Sequence, residues 1–260
     1  MSEHVHPRAD ELDGLSVREF LTVMHVEDLD AVRAIAPTLD ATAHAVEEVA
    51  ARLGAGGTLH YFGAGTSGLI AALDAAECPA TFGVEPEVVQ AHTALEPEAE
   101  DDGGLGQSAA AGARLGARDV AVGVSASGKT AFVLGAMQRA AADGALRIAI
   151  TCNPGSPLGK AAGIAIEVAT GPEVIAGSTR LKAGTVQKLL LNMLSTAVFT
   201  RLGRTHRGRM VGVVAGNDKL RERAVRVVAD LTGLPIEEAR RKLDAAGGDI
   251  RTVLGAVHTP

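Results

Sequence analysis

The sequence predicts an α/β fold, a mostly parallel sheet covered by helices on both faces. Three observations carry this expectation. Short apolar runs alternate with segments of helical periodicity from residue 58 to residue 169. Two of those runs end in turns rich in glycine and hydroxyl side chains, each followed by a helical pattern. Finally, 47% of the 260 residues are hydrophobic, enough to fill the core of one large domain with a small appendage.

Residues 1–14 are polar and read as loosely held. Residues 15–53 place apolar side chains at three- and four-residue spacing, which predicts helices, with Pro37 in the first turn of the second. Gly54-Ala55-Gly56-Gly57 stops them. A strand over 58–62 leads through Gly63-Ala64-Gly65-Thr66-Ser67-Gly68 into a helix over 69–77. Residues 80–84 and 88–92 read as strand pieces, the acidic stretch 95–104 as a loop, and 107–115 as a small helix. A strand over 119–124 leads through Ser125-Ala126-Ser127-Gly128-Lys129-Thr130 into a helix over 131–142. Strands over 146–151 and 164–169 follow. Ser178 is an expected N-cap for the long apolar helix over 185–202, and helices over 217–232, 236–246 and 249–257 close the chain.

Composition excludes several functions. With no Trp, one Tyr and five Phe, there is little on which to stack single-stranded nucleic acid or oligosaccharide. A net charge of −6 gives no general attraction to nucleic acid or to anionic membrane, so any anion must be held locally. Cys78 and Cys152 form no CxxC pair, so zinc and dithiol motifs are absent and a cytoplasmic location is expected. The first residues contain no apolar signal core. The stretch 186–199 is too short to span a bilayer and carries Gln187, Lys188 and Asn192, so it reads as a buried helix.

The chemistry is expected in the two glycine- and hydroxyl-rich turns. Open α/β sheets bind ligands at the carboxyl ends of their strands, where helix N-termini offer free amides to an anion. The first turn matches G-x-G-x-x-G, but Pro79 and Pro86 bracket the place where a second dinucleotide-binding strand would lie. The second, Gly123 to Thr130, matches the G-x-x-x-x-G-K-T nucleotide loop, but the strand after it has no terminal Asp to hold magnesium. Treating the turns as a pair accounts for both. Ser67, Ser125, Ser127 and Thr130 then surround one phosphate monoester without a metal, as suits a sugar phosphate. His60 reads as a packed core histidine, Lys182 as a first-turn helix charge, and the arginines at 201, 204, 207 and 209 as a solvated helix end.

Five segments in order, GAGTSG…LDAAECPATFG, AEDDGG, VGVSASGKT, ITCNPGSPL and TGPEVIAGSTRLKAGTVQKLLLNMLSTA, resemble the N-acetylmuramic acid 6-phosphate etherase family of the sugar isomerase (SIS) superfamily. The match runs from about Pro7 to Thr232. The resemblance implies a three-layer fold with a five-stranded parallel sheet, a homodimer whose subunits both contribute to the site, and no cofactor. It implies a phosphorylated amino sugar as partner and cleavage of a lactyl ether. Glu77 matches the family's base and Glu100 its second acid/base group; Thr66, Ser67, Ser125, Ser127 and Thr130 hold phosphate; Glu173 and Ser178 reach the ligand. With a boundary read near Leu231-Thr232-Gly233, the chain is expected to divide into an N-terminal helical segment (1–53), an SIS domain (54–232) and a helical tail (233–260). Departures are Leu69 and Lys129 where the family has Arg, a shortened segment between 90 and 100, and Gly212 in place of Asp. The same phosphate site would also serve an aldose–ketose isomerase or a non-catalytic sugar-phosphate sensor.

Overall fold

A computed structural model describes residues 4–212 and 218–258. The chain begins with α1 (Ala9–Leu12) and α2 (Val17–Arg33). α2 starts where Ser16 and Glu19 cap each other: the Ser16 hydroxyl accepts the Glu19 amide and the Glu19 carboxylate accepts the Ser16 amide. The first residues are better anchored than their polarity suggests, because Leu12 is buried against Val23 and Val174. α3 (Leu39–Gly54) follows a single tight turn containing Pro37.

The βα units come next: β1 (Leu59–Ala64), α4 (Gly65–Phe82), β2 (Val89–Ala94), the one-turn α5 (Pro97–Glu100), α6 (Gly103–Ala113), β3 (Val120–Ser125), α7 (Ala131–Ala142), β4 (Leu146–Thr151), α8 (Pro157–Ala161) and β5 (Ile164–Glu167). The long α9 (Lys182–Arg201) leads to a two-strand hairpin, β6 (Thr205–His206) and β7 (Arg209–Met210). Helices α10 (Asp218–Thr232), α11 (Ile236–Ala245) and α12 (Ile250–His258) complete it.

The sheet has five strands, all parallel, in the order β2-β1-β3-β4-β5. Side chains alternate across it as the two-residue strand repeat demands. Leu59, Tyr61, Val120 and Val122 face a core shared with Val186, Leu190 and Leu194 of α9 and Ala45 and Val49 of α3. Phe62, Ala64 and Ala121 face Phe132, Val133 and Met137 of α7. Helices α6 and α7 meet backbone to backbone: a Cβ at Gly135 would lie 2.0 Å from the Gly103 carbonyl oxygen. Among the described residues, no helix is long and apolar enough to cross a membrane.

Several expectations need correction. Residues 80–82 are not a strand but the last turn of α4, which runs through Pro79 and ends at the left-handed Gly83. Pro79 removes one hydrogen bond, yet Cys78 and Phe82 bury the helix's inner face and hold it in register. The acidic loop contains α5, and α6 starts at Gly103 because Asp102 accepts the Leu105 amide at 2.9 Å. α9 starts at Lys182, so Ser178 caps nothing there. α10 buries Ala224, Val225 and Val228 with Ala239 and Leu243 of α11 and Ile250 of α12. A boundary at 232/233 thus runs through one apolar cluster, and the tail begins with α10. Asn217, the expected first residue of that helix, lies outside the described residues.

Asp74 ties three elements together. It is buried on α4 and accepts the Tyr61 hydroxyl of β1 at 2.9 Å and the Ser195 hydroxyl of α9 at 3.0 Å. Burial holds its carboxyl above the usual range. Asp74→Ala strands two buried hydroxyls and is expected to cost about 2–4 kcal/mol. Thermal unfolding should show a midpoint lower by roughly 5–10 °C; an unchanged midpoint would refute the assignment.

Candidate active site

The strand order reverses between β1 and β3, which makes the carboxyl ends of these two strands the topological switch point. Gly63 pairs with Val124, so Ala64 and Ser125 stand side by side at that rim and their turns open together. The glycines of the first turn serve close approach. A Cβ at Gly63 would lie 2.9 Å from the Gly68 Cα, and Gly65 has φ +49°, where a side chain is strained. α4 therefore leaves β1 without a linker, placing Thr66 and the largely buried Ser67 in its first turn.

The second turn is organised by its hydroxyls. Ser125 Oγ accepts the Gly128 amide at 3.0 Å and lies 2.9 Å from Thr130 Oγ1 and 3.5 Å from Ser127 Oγ. Ser127 Oγ accepts the Lys129 amide at 3.2 Å. Lys129 is exposed, one residue before the Thr130 that precedes α7. Gly128 is left-handed, and a Cβ there would lie 2.4 Å from the Ser156 side chain. The concave nest so formed is suited to an oxyanion.

Glu100 closes the two turns over each other. Thr130 Oγ1 donates to Glu100 Oε1 at 3.4 Å, and Glu100 Oε2 lies 3.8 Å from where a Cβ on Gly65 would stand. One carboxylate thus borders both hydroxyl-bearing turns. It is carried there by α5, in the stretch read from sequence as a solvated loop.

The remaining expected site residues are Glu77, Glu173 and Ser178. Glu77 is exposed on α4, ten residues beyond Ser67, or about 15 Å along the helix axis. Within one chain it does not join the hollow. Glu173 is fully buried; its oxygens accept the Lys182 amide at 2.9 Å and the Ala183 amide at 3.0 Å. It caps α9 from nine residues upstream and so fixes the first turn of that helix. Ser178 sits half-buried in the turn before α9, next to Thr179. The Thr179 carbonyl and the Thr66 methyl both approach the Cβ position of Gly184, at 3.5 and 3.6 Å, so this turn walls the hollow on the α9 side.

Lys182 opens α9, as the sequence reading expects, but its charge is buried. It is 3% exposed and paired with Glu27 of α2, which also contacts His6 at 3.0 Å. Partners 155 residues apart leave no local signal of this pairing in sequence. Neither cysteine is a nucleophile at neutral pH: burial, then Asp74 and Glu77, push the Cys78 thiol up to about 12, and burial, then Glu173, do the same at Cys152. Among the described residues, no cluster of His, Cys, Asp and Glu could hold a metal ion.

Residues 104–197 match the SIS domain. The chain is 43% identical over 262 residues to an N-acetylmuramic acid 6-phosphate etherase of Jannaschia sp., covering 98% of this chain and 83% of that one. It is 44% identical over 271 residues to the protein of the same name from Streptomyces avermitilis, covering 100% and 87%. Among solved structures, the phosphoheptose isomerase GmhA of Neisseria gonorrhoeae superposes with a TM-score of 0.56 at 22% identity, covering 71% of this chain and 100% of that one; this similarity supports the fold alone. With its paired turns on an SIS scaffold and this degree of identity across nearly its whole length, the chain belongs to the N-acetylmuramic acid 6-phosphate etherase family.

Proposed function

We propose that this chain cleaves the lactyl ether of N-acetylmuramic acid 6-phosphate by elimination and hydration, giving N-acetylglucosamine 6-phosphate and D-lactate. The observation that carries the reading is Glu100 seated against both hydroxyl-bearing turns. A phosphate gripped by Thr66, Ser67, Ser125, Ser127 and Thr130 leaves the sugar carbons beside that carboxylate. In the open-chain sugar the C1 aldehyde acidifies the C2 proton. A carboxylate takes this proton, the C2 electron pair forms the C2=C3 bond, and the C3–O bond breaks as Glu100 protonates the departing lactate oxygen. Glu100 then deprotonates a water that adds to C3, and C2 recovers its proton from the first carboxylic acid. Atoms and charges balance without metal or redox chemistry.

Glu77 is that first carboxylate, and it acts across a homodimer. It shares an exposed face of α4 with Leu69 and Leu73, which are 57% and 47% exposed. Two such apolar side chains one turn apart form a stripe that a second copy would bury. If α4 pairs antiparallel with its symmetry mate about a two-fold axis between Ala72 and Leu73, Glu77 of the partner subunit stands level with Gly68, beside Ser67. Helices in contact lie about 8–10 Å apart, a gap that a Glu side chain and a sugar together span.

The direct experiment is turnover of N-acetylmuramic acid 6-phosphate in water enriched in heavy oxygen. Free lactate with label at C3 of the sugar is expected; binding without lactate release overturns the reading. Ser127→Ala removes one donor to a charged phosphate, so KM should rise about 10–100-fold with kcat little changed. Steady-state kinetics reads this split, and a KM within error of wild type removes Ser127 from the phosphate site.

A further inference from the structure

A cavity of about 400 Å³ lies at the seam between the core and the C-terminal helices. Its walls include the Gly54–Thr58 turn, Glu87 and Leu202 from the core side, and Arg204 and Arg251. An adjoining cavity of about 420 Å³, lined by Thr205, His206 and Leu254, shares Arg251. The two guanidinium groups sit close enough for Arg251, after burial, to hold the Arg204 pKa below its ordinary value. Asp249 partly offsets this at Arg204 and is also the carboxylate nearest Arg251, so the two guanidinium groups share one acid. Arg204 Nη1 donates to the neutral Gly83 carbonyl at 3.1 Å, and Arg251 Nε stands 3.8 Å from Asp249, whose oxygens already accept the Arg251 amide and the Thr252 hydroxyl. Among the described residues, the wall itself carries one carboxylate, Glu87.

The charge of the chain is segregated in the same sense. Residues 201–260 hold twelve Lys and Arg against seven Asp and Glu, a net of +5, whereas residues 1–200 carry a net of −11. Two guanidinium groups facing one cavity with a single shared carboxylate beside them favour a further anion between them. Their planar forks fit the oxygens of a phosphate group with paired hydrogen bonds. The volume matches that of a small metabolite rather than a lone ion.

We propose that this seam is a second anion site, separate from the hydroxyl-lined hollow, which takes a small phosphate monoester between Arg204 and Arg251. Because Arg204 follows α9 and Arg251 lies in α12, the ligand ties the C-terminal helices to the core. Occupancy of the seam adds to the stability of the native state by an amount that grows with the logarithm of ligand concentration above Kd.

The test is calorimetric titration of the full chain with inorganic phosphate and, separately, glucosamine 6-phosphate, on wild type, Arg251→Ala, Ser127→Ala and the double variant. Arg251 is exposed, so its truncation leaves the fold intact. Wild type should bind a second equivalent that Ser127→Ala retains and Arg251→Ala weakens more than about tenfold. A seam built for free phosphate takes inorganic phosphate as well as the sugar ester; one built for a metabolite prefers the ester. Arg251→Lys should recover part of the binding, since it restores charge but not the fork. A single equivalent in wild type, or a second one indifferent to Arg251→Ala, overturns the proposal. Lactate release by Arg251→Ala should equal that of wild type, which separates this site from the proposed reaction.

Discussion

Mixed dimers of Glu77→Gln and Ser127→Ala chains are expected to recover activity that neither variant has alone. Replacing a general base costs on the order of 10²–10⁴-fold in rate, so Glu77→Gln homodimers should be nearly silent. Under saturating substrate Ser127→Ala retains turnover, so the mixing is measured far below KM, where that variant too is slow. If Glu77 serves the partner's hollow, a mixed dimer holds one intact site, built from the serines of one chain and Glu77 of the other. Random exchange makes about half the dimers mixed, so roughly a quarter of wild-type activity should return. Glu100 supplies the control. It contacts Thr130 of its own chain, so mixing Glu100→Gln with Ser127→Ala puts both lesions in separate chains without completing a site and restores nothing. Mixing Glu77→Gln with Glu100→Gln should again return about a quarter. No recovery in the Glu77 mixtures would place that residue in the site of its own chain and remove the antiparallel α4 pairing.

Stability should fall as pH drops from about 6.5 to about 4, and His60 should account for much of the fall. His60 lies inside β1 with Nε2 2.8 Å from the Thr58 hydroxyl and Nδ1 3.0 Å from His92 Nε2. Burial, then the His92 ring, lowers its pKa to about 4 against a partial counter-effect of Asp119. The unfolded chain, with His near 6.5, takes up the proton first as pH falls. Below that value the unfolded state therefore binds more protons than the native state, and native stability is lost until His60 itself protonates near 4. A displacement of this size corresponds to something on the order of 3 kcal/mol across the window. His92, also lowered by burial, adds in the same direction. Denaturant unfolding of wild type and His60→Gln at matched pH values isolates the contribution, because carboxylates contribute equally to both. The variant should be less stable at neutral pH and lose less on acidification; parallel curves would contradict the placement of His60.

The legible and illegible parts of this molecule divide by the range of the interactions. The two turns were recognisable because each is a contiguous stretch whose glycines and hydroxyls act on neighbours within a few residues, as in the Ser125–Gly128 and Ser127–Lys129 contacts. The core histidine at 60 and the long apolar helix were readable from periodicity for the same reason. By contrast, residues 80–82 combine β-compatible side chains with a nearby proline, and only packing against Phe199 and the sheet keeps Phe82 helical. Glu173 was recognisable as a special residue but not as a helix cap, since its amide partners are nine and ten residues away across a turn.

Sequence alone determined the alternation of strands and helices and the two glycine- and hydroxyl-rich turns, because hydrophobic period, backbone freedom and hydroxyl content are local properties of the chain. Only the tertiary structure decided which groups meet. Strand order set β1 beside β3 and so joined Ser67's turn to Ser125's; α5 carried Glu100 onto both, while the straight run of α4 carried Glu77 outward to an exposed face. Such meetings depend on register and on packing between distant segments, and no stretch of sequence contains the geometry that produces them.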